Sequence, residues 1–226
     1  MSHFVVAVFA RSLNNVDDLL APFEESSQLP SPYVEFHEDE EADVDDTTGK
    51  RGYWVNPNAK WDWYQIGGRW GGMLRLKEGA TGIYDHLSDE YKAKQLEQRT
   101  CDVARMCDVE LGIHQESFEK ALRHWDVIMG DVQPEDESEK YHGFFSKEYF
   151  IERYKTREKY ATAQSRFLPY AYITPDGEWK APGTMGWWGI DDVTGDSRDA
   201  YEHEFEEFLE KNKEEELFII MVDCHI

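Results

Sequence analysis

The sequence predicts an α+β fold, built as a single domain over residues 1–226. Three observations lead to this prediction: an apolar run at each end of the chain, segments with helical spacing between them, and a turn signal between two aromatic segments. A strand at each end, with a helix beside each, is typical of a sandwich whose terminal strands lie side by side. We therefore expect a ferredoxin-like or related sheet, with the N- and C-terminal strands adjacent and antiparallel and with aromatic hairpins and helices inserted.

The N-terminal part of the chain predicts a buried strand followed by polar connections. The run HFVVAVFA, residues 3–10, is continuous and rich in Val and Phe, which predicts a strand buried on both faces. SLNNVDDLLAPF predicts a short helix or turn that ends near Pro22. The acidic segment 35–50 predicts a mobile, solvated loop, because its carboxylates lack the spacing of a calcium-binding loop.

The rest of the chain predicts four helices, one hairpin and a closing strand. The helical segments cover residues 88–110, 115–129, 146–164 and 196–216, with Ser88 and Ser146 as N-cap candidates. Pro-Asp-Gly at 175–177, between aromatic extended segments, predicts a β-hairpin. The run LFIIMVDCHI, residues 217–226, predicts a second strand buried on both faces.

The charge of the chain argues against several classes of partner. The 47 acidic residues outnumber the 24 Lys and Arg residues and give a formal net charge of -23. Such a charge repels phosphate backbones and anionic lipids, so neither general nucleic-acid binding nor membrane binding is expected. Two interpretations of the charge stay open: solubility in a crowded cytoplasm, or a DNA-mimicking surface that inhibits a host defence protein.

The N-terminal segment and the cysteines indicate a cytoplasmic protein. MSHFVVAVFA lacks the basic start and the apolar length of a signal peptide, and no run approaches the ~20 apolar residues of a membrane span. Cys101, Cys107 and Cys224 form no CxxC pair, which favours reduced thiols over a disulfide framework or a zinc ribbon. We expect no cofactor and no dedicated metal site.

The segment WDWYQIGGRWGG, residues 61–72, is the first candidate binding site. Its glycines permit positive φ and let the backbone approach another surface closely. In a chain this acidic, Arg69 is suited to bind a carboxylate or phosphate while neighbouring aromatic rings stack on a base or sugar. The alternatives are glycines that serve strand packing and a buried salt bridge at Arg69. The predicted ligand-binding residues are Tyr64, Gly67, Gly68, Arg69 and Trp70.

A second aromatic and glycine-rich segment, APGTMGWWGI, repeats this chemistry later in the chain. Trp187 and Trp188 lie between two glycines, and we expect them to form the opposite wall of the same cleft. Packing of both tryptophans in the hydrophobic core is the alternative, because large aromatic residues are mostly buried.

The predicted pairing of the terminal strands creates a third candidate site. If these strands pair antiparallel, His3 lies close to His225, with Asp223 on the same face as His225. Two imidazoles and a carboxylate are able to bind a metal or to act as general acid and base. Either role requires imidazoles within ~10 Å of each other. Ordinary surface hydrogen bonds at strand ends are the alternative.

Four stretches resemble a family of uncharacterised proteins from bacteriophages and some bacteria: MSHFVV, NPNAKWDWYQIGGRWGG, TPDGEWKAPGTMGWWG and VDCHI. They are spread over the whole chain. The family has no assigned activity, so the resemblance implies a phage setting, a location in the host cytoplasm and a role against host defence, but no reaction.

Three functions follow from these patterns. The first is sequestration of a nucleotide-like anionic ligand, such as a host immune signal, in an aromatic pocket with glycine and arginine. The second is hydrolysis of a cyclic nucleotide or related phosphodiester by His3 and His225, supported by Asp223. The third is inhibition of a host defence protein through the acidic surface. A homo-oligomer with pockets at its interfaces is compatible with the first.

Overall fold

A six-stranded mixed sheet forms the centre of the protein. The computed structural model describes residues 2–25, 31–186 and 189–226. The strands within these ranges are β1 (His3–Ala10), β2 (Glu35–Glu38), β3 (Gly52–Val55), β4 (Trp63–Ile66), β5 (Leu74–Arg75), β6 (Thr100–Cys101), β7 (Val103–Arg105), β8 (Ala171–Ile173), β9 (Trp179–Lys180) and β10 (Phe218–His225). The α-helices are α1 (Val16–Leu20), α2 (Asp89–Gln98), α3 (Gln115–Met129), α4 (Lys147–Tyr154), α5 (Arg157–Ser165) and α6 (Gly195–Asn212).

The terminal strands pair with each other in the middle of the main sheet. Its order is β4-β10-β1-β8-β9, and β7 also pairs with β10. Strand β1 pairs antiparallel with β10, opposing His3 to His225, and pairs parallel with β8. The predictions of an α+β fold and of adjacent, antiparallel terminal strands are therefore confirmed.

Each face of the main sheet carries its own hydrophobic core. Val5 and Phe9 of β1 pack with Phe205 of α6 on one face, while the alternate β1 residues pack with Leu20 of α1 on the other. Both terminal strands are buried along almost their whole length, as predicted from their continuous apolar runs. On the α6 face, the apolar pattern gives way to His3, Asp223 and His225 where β1 begins and β10 ends.

The prediction of one helix over residues 88–110 is wrong in its second half. Helix α2 ends at Gln98, and Arg99 adopts a left-handed conformation with φ of 52° at the C-cap. Residues 103–105 then form β7 against β10. The physical reason is burial: Cys101, Val103 and Ala104 are almost fully enclosed in the sheet, and pairing with β10 outweighs their weak local preference.

The other local predictions hold to different degrees. The helix over 115–129 is confirmed as α3, and the hairpin around 175–177 is confirmed by the pairing of β8 with β9. The segment 146–164 forms two helices instead of one, because Lys155 takes a positive φ of 64° between them. The prediction of a loop over the acidic segment 35–50 is wrong for residues 35–38, which form β2 and pair with β3. No helix in the described ranges is long and apolar enough to cross a membrane.

Candidate functional site

A cleft of about 560 Å³ opens between α2 and one end of the main sheet. It lies where one edge of β10 changes its partner strand. Residues 222–225 of β10 pair with β4, and residues 218–220 pair with β7. The turn that follows β4 leaves the sheet at this gap, with the Gly67 N–H donating to the carbonyl of Met221. The cleft is lined by His3, Trp63, Gln65, Ile66, Gly68, Arg69, Gly71, Leu87, Tyr91, Lys94, Gln95, Gln98, Asp102 and Asp223.

Three rings form a row across the strands beside this cleft. His225 of β10 lies between His3 of β1 and Trp63 of β4, so all three side chains share one face of the sheet. The centroids of the two imidazole rings are 4.9 Å apart. This separation lies well within the ~10 Å limit expected for shared chemistry. The sequence prediction that His3 and His225 come together is confirmed.

His3 is held by a buried carboxylate. Its Nδ1 lies 2.9 Å from Oδ1 of Asp223, whose side chain is 3% exposed. Because a carboxylate oxygen accepts a hydrogen bond, Nδ1 carries the proton and Nε2 of neutral His3 is the basic nitrogen. The second carboxylate oxygen, Oδ2, accepts from the backbone N–H of Arg69 at 2.9 Å. Asp223 therefore aligns both an imidazole and the backbone of an arginine at the cleft.

His225 is more enclosed than His3. Its Nδ1 lies 2.7 Å from Oδ1 of Asp62, and its side chain is 6% exposed. The indole of Trp63 stacks on the imidazole with 5.1 Å between centroids. His225 is absent from the residues that line the cleft, whereas His3 is present. The two histidines thus differ in their access to a bound molecule.

A second buried carboxylate, Asp102, supports the turn after β4. It is fully buried and accepts hydrogen bonds from Gly72 N–H, from Gln95 at 3.1 Å and from His86 Nε2 at 2.9 Å. Burial raises the pKa of Asp102, but the hydrogen bonds from His86, Gly72 and Gln95 outweigh burial and hold the pKa below its ordinary value. This carboxylate joins the turn, α2 and the segment before α2 at one point.

The glycines of the turn make room for these two carboxylates. A Cβ on Gly68 would lie 2.5 Å from Cβ and Oδ2 of Asp223, and one on Gly67 would overlap the carboxylate of Asp102. Both glycines also have positive φ, 72° at Gly67 and 54° at Gly68. The close approach predicted for these glycines is therefore made to the chain's own acids, although Gly68 also faces the cleft.

Two cations at the cleft have no anionic partner among the described residues. The side chains of Arg69 and Lys94 form no hydrogen bond or ion pair there, although most other Arg and Lys side chains do. The cavity of about 510 Å³ beside α3 differs in this respect, because its Arg123 binds Glu139. The predicted alternative of a buried salt bridge at Arg69 is not what the structure contains.

Gln95 adds an unsatisfied polar group to the same wall. The residue is 5% exposed, and its Nε2 donates to both oxygens of Asp102 at 3.1 Å. Its Oε1 is buried and has no hydrogen-bond partner within the described part of the chain. A buried acceptor without a donor is uncommon in proteins. The wall of the cleft therefore contains one acceptor that no described residue satisfies.

The other predicted ligand-binding residues lie away from this cleft or outside the described ranges. Tyr64 points to the opposite face of the sheet, where its ring packs on Trp61 and its hydroxyl donates to Asp17. Burial, together with Asp17, raises the pKa of Tyr64 above its ordinary value. Trp70 is 36% exposed but does not line the cleft. Trp187 and Trp188 lie outside the residues that the structure describes.

The cleft also contains residues that the sequence predictions missed. Tyr91, Lys94 and Gln98 form one wall from the exposed side of α2. Their spacing of three and four residues places them on one helix face, and that face is aromatic and polar instead of apolar. Trp63 and Gln65 were also missed. They stand two residues apart, so their side chains lie on the same face of β4.

The cysteines offer no activated nucleophile at the cleft. Burial, followed by the nearby Asp102, raises the pKa of Cys101 to about 12. Burial also raises the pKa of Cys224 well above its ordinary value. Cys107 is exposed but does not line the cleft. All three thiols are free.

Neither a metal centre nor a known relative adds to this assignment. Over residues 2–25, 31–186 and 189–226, no group of three or more His, Cys, Asp or Glu side chains is arranged to hold a metal ion. Comparisons with protein-family models, curated proteins and solved structures found no match to the chain. The site therefore has to be interpreted from its own geometry.

Proposed function

We propose that the cleft binds a nucleotide-like anionic small molecule. The observation that carries this proposal is Arg69, an exposed guanidinium that has no anionic partner among the described residues of a chain of net charge -23. Most cations in such a chain find a carboxylate, so an unpaired arginine at a cleft is a site for an external anion. Lys94, on the opposite wall, adds a second positive charge for the same ligand.

The remaining lining fits the organic part of a nucleotide. Trp63 is 43% exposed and Tyr91 is 61% exposed, so both present ring surface to the cleft. Aromatic faces stack on bases of any identity, and such stacking contributes about 1–3 kcal/mol per base. The exposed side chain of Gln98 supplies a donor and an acceptor for the edge of a base or for a sugar hydroxyl.

The biological role that we propose is capture of a host nucleotide signal by a phage-encoded cytoplasmic protein. Support for this setting comes from the sequence resemblance described above. The cleft supports the chemical part of the role, since it combines aromatic rings with two cations that pair with none of the described residues. For the fold, we propose a variant of the ferredoxin-like arrangement. In this protein β9 lies at the edge of the sheet, outside β8, whereas the corresponding strand of the ferredoxin-like arrangement would lie between β8 and β1.

Replacing Arg69 with glutamine is expected to weaken ligand binding by about 10- to 150-fold. This range corresponds to about 1.5–3 kcal/mol for hydrogen bonds that involve a charged group. The measurement is a thermal-shift screen against ADP-ribose, NAD, cyclic ADP-ribose isomers and cyclic dinucleotides, followed by calorimetric titration of any ligand that raises Tm. Binding to the native state alone raises apparent stability by mass action.

Arg99→Gln is the matched control for Arg69→Gln. Arg99 is also exposed and also has no side-chain partner among the described residues, but it lies outside the cleft. The control variant should bind as the wild type does. If none of the ligands shifts Tm, or if both variants lose affinity equally, the cleft is not the proposed binding site.

A further inference from the structure

The cleft contains one side chain suited to proton transfer at a bound ligand. His3 lines the cleft with its side chain 11% exposed, and its Nε2 has no hydrogen-bond partner among the described residues. Asp223 fixes the ring through Nδ1, so that Nε2 is the basic nitrogen. A histidine that is oriented by a buried carboxylate is the arrangement that enzymes use for a general base.

The same carboxylate links this base to the proposed anion site. Asp223 accepts from the backbone N–H of Arg69, which is one of the two cations at the cleft. The imidazole of His3 and the backbone of Arg69 are therefore held by the same buried carboxylate. A phosphate held by Arg69 would lie in the cleft that His3 also lines.

We propose that the protein hydrolyses a phosphoanhydride bond of its ligand, with His3 as the general base. This inference rests on the proposed binding function. In the step, a water oxygen forms a bond to phosphorus while the bond from phosphorus to the bridging oxygen breaks. One proton of the water passes to Nε2 of His3 and then to solvent, and the other stays on the oxygen that is now bonded to phosphorus. The bridging oxygen leaves with the bonding electron pair as part of a phosphate anion.

The choice of a phosphoanhydride follows from the difference between the two histidines. His225 is 6% exposed, is covered by Trp63 and does not line the cleft, so a single imidazole reaches the ligand. A phosphodiester releases an alkoxide, which needs a proton from a second group. A phosphate leaves as a stable anion, and nearby cations such as Arg69 and Lys94 stabilise the charge that develops on it.

The test compares ADP-ribose, which contains a phosphoanhydride, with a cyclic dinucleotide, which contains only phosphodiesters. We expect the wild type to convert ADP-ribose to AMP and ribose phosphate and to leave the cyclic dinucleotide intact. In ¹⁸O-labelled water, one of the two product phosphates should carry the label, because water attacks phosphorus. Products are followed by chromatography and mass spectrometry.

Three variants separate catalysis from binding. His3→Asn keeps a side-chain N–H for Asp223 but removes the base, so we expect turnover to fall about 10²- to 10⁴-fold while the thermal shift with ADP-ribose persists. Arg69→Gln should lose the thermal shift and turnover together. His203→Asn is the control, because His203 is an exposed histidine on α6, and it should leave both unchanged.

Each failure has its own meaning. A thermal shift with ADP-ribose recovered intact overturns the hydrolytic proposal and leaves the binding proposal standing. Equal turnover by the wild type and His3→Asn overturns the role of His3. Cleavage of the cyclic dinucleotide without cleavage of ADP-ribose overturns the choice of bond. The absence of a thermal shift with every ligand of the screen described above overturns the binding proposal, and this inference with it.

Discussion

Replacing Asp102 with alanine is expected to lower the free energy of unfolding by about 3–5 kcal/mol, the cost of removing one partner from a buried charged network. Asp102 is fully buried and accepts hydrogen bonds from Gly72, Gln95 and His86. Alanine leaves the donors of these three residues without their acceptor, and each unsatisfied buried donor costs about 1–3 kcal/mol. Denaturant unfolding measures the loss.

The control for this variant is Asp85→Ala. Asp85 is an exposed aspartate with no hydrogen bond or ion pair among the described residues, and its loss should change stability by less than about 0.5 kcal/mol. Because Asp102 also lines the cleft, Asp102→Ala should weaken ligand binding through the displaced turn. A stability within about 1 kcal/mol of the wild type would contradict the role of Asp102 as the support of the turn.

The effect of Asp102→Ala should shrink in acid. Burial raises the pKa of Asp102, but its hydrogen bonds from His86, Gly72 and Gln95 dominate, so the pKa in the folded protein lies below its ordinary value. A lowered pKa means that the contribution of Asp102 to stability is complete above the ordinary carboxyl pKa. The contribution is lost as the pH falls through the folded-state pKa.

Unfolding experiments at several pH values test this dependence. The difference in unfolding free energy between the wild type and Asp102→Ala should be smaller at pH about 3 than at pH about 5. The comparison between the two proteins removes the effect of the many other acids, because both chains carry them. A difference that grows on acidification would show that the pKa of Asp102 is raised in the folded state.

The terminal strands and their pairing could be predicted from the sequence because each strand is marked by its own apolar run. Continuous apolar runs at residues 3–10 and 217–226 require burial on both faces, which places both strands inside the sheet. Antiparallel pairing of adjacent end strands then brings His3 beside His225 without further information. The alternation of side chains along a strand puts Asp223 on the same face.

The role of Asp102 in supporting the turn after β4 could not be predicted from the sequence, because it depends on tertiary contacts. Asp102 stands in a segment that has helical spacing, and nothing in its neighbourhood marks it as an acceptor for Gly72 or His86. The short strand β7 forms only because β10 lies beside it. Contacts between residues that are distant in sequence decided both outcomes.

The residue of β4 that faces the cleft could have been predicted from the sequence, but the prediction chose Tyr64, which does not line this cleft. Tyr64 and Arg69 are close in sequence, yet strand alternation sends Tyr64 to the face opposite His225. Trp63 pairs with His225 and lies on the cleft face with Gln65. The predicted register of the terminal strands therefore contained the information needed to choose Trp63.

Replacing Gly68 with alanine is expected to damage both stability and the candidate site. The new Cβ would lie 2.5 Å from Cβ and Oδ2 of Asp223, a separation that real Cβ atoms do not adopt, and φ at this position is +54°. Strain from positive φ costs of order 1–3 kcal/mol, and forcing an atom into a packed site adds about 1–3 kcal/mol. Because Asp223 holds His3 and the backbone of Arg69, we expect ligand binding to fall as well.

Gly79→Ala separates the two causes of this loss. Gly79 has a φ of +79°, but a Cβ there would meet no atom within 4 Å. It should therefore show only the backbone strain, with ligand binding unchanged. The excess loss in Gly68→Ala then measures the collision with Asp223. If the two variants lose equal stability and bind alike, the turn accommodates a side chain at position 68, and the close contact between Gly68 and Asp223 does not position the site.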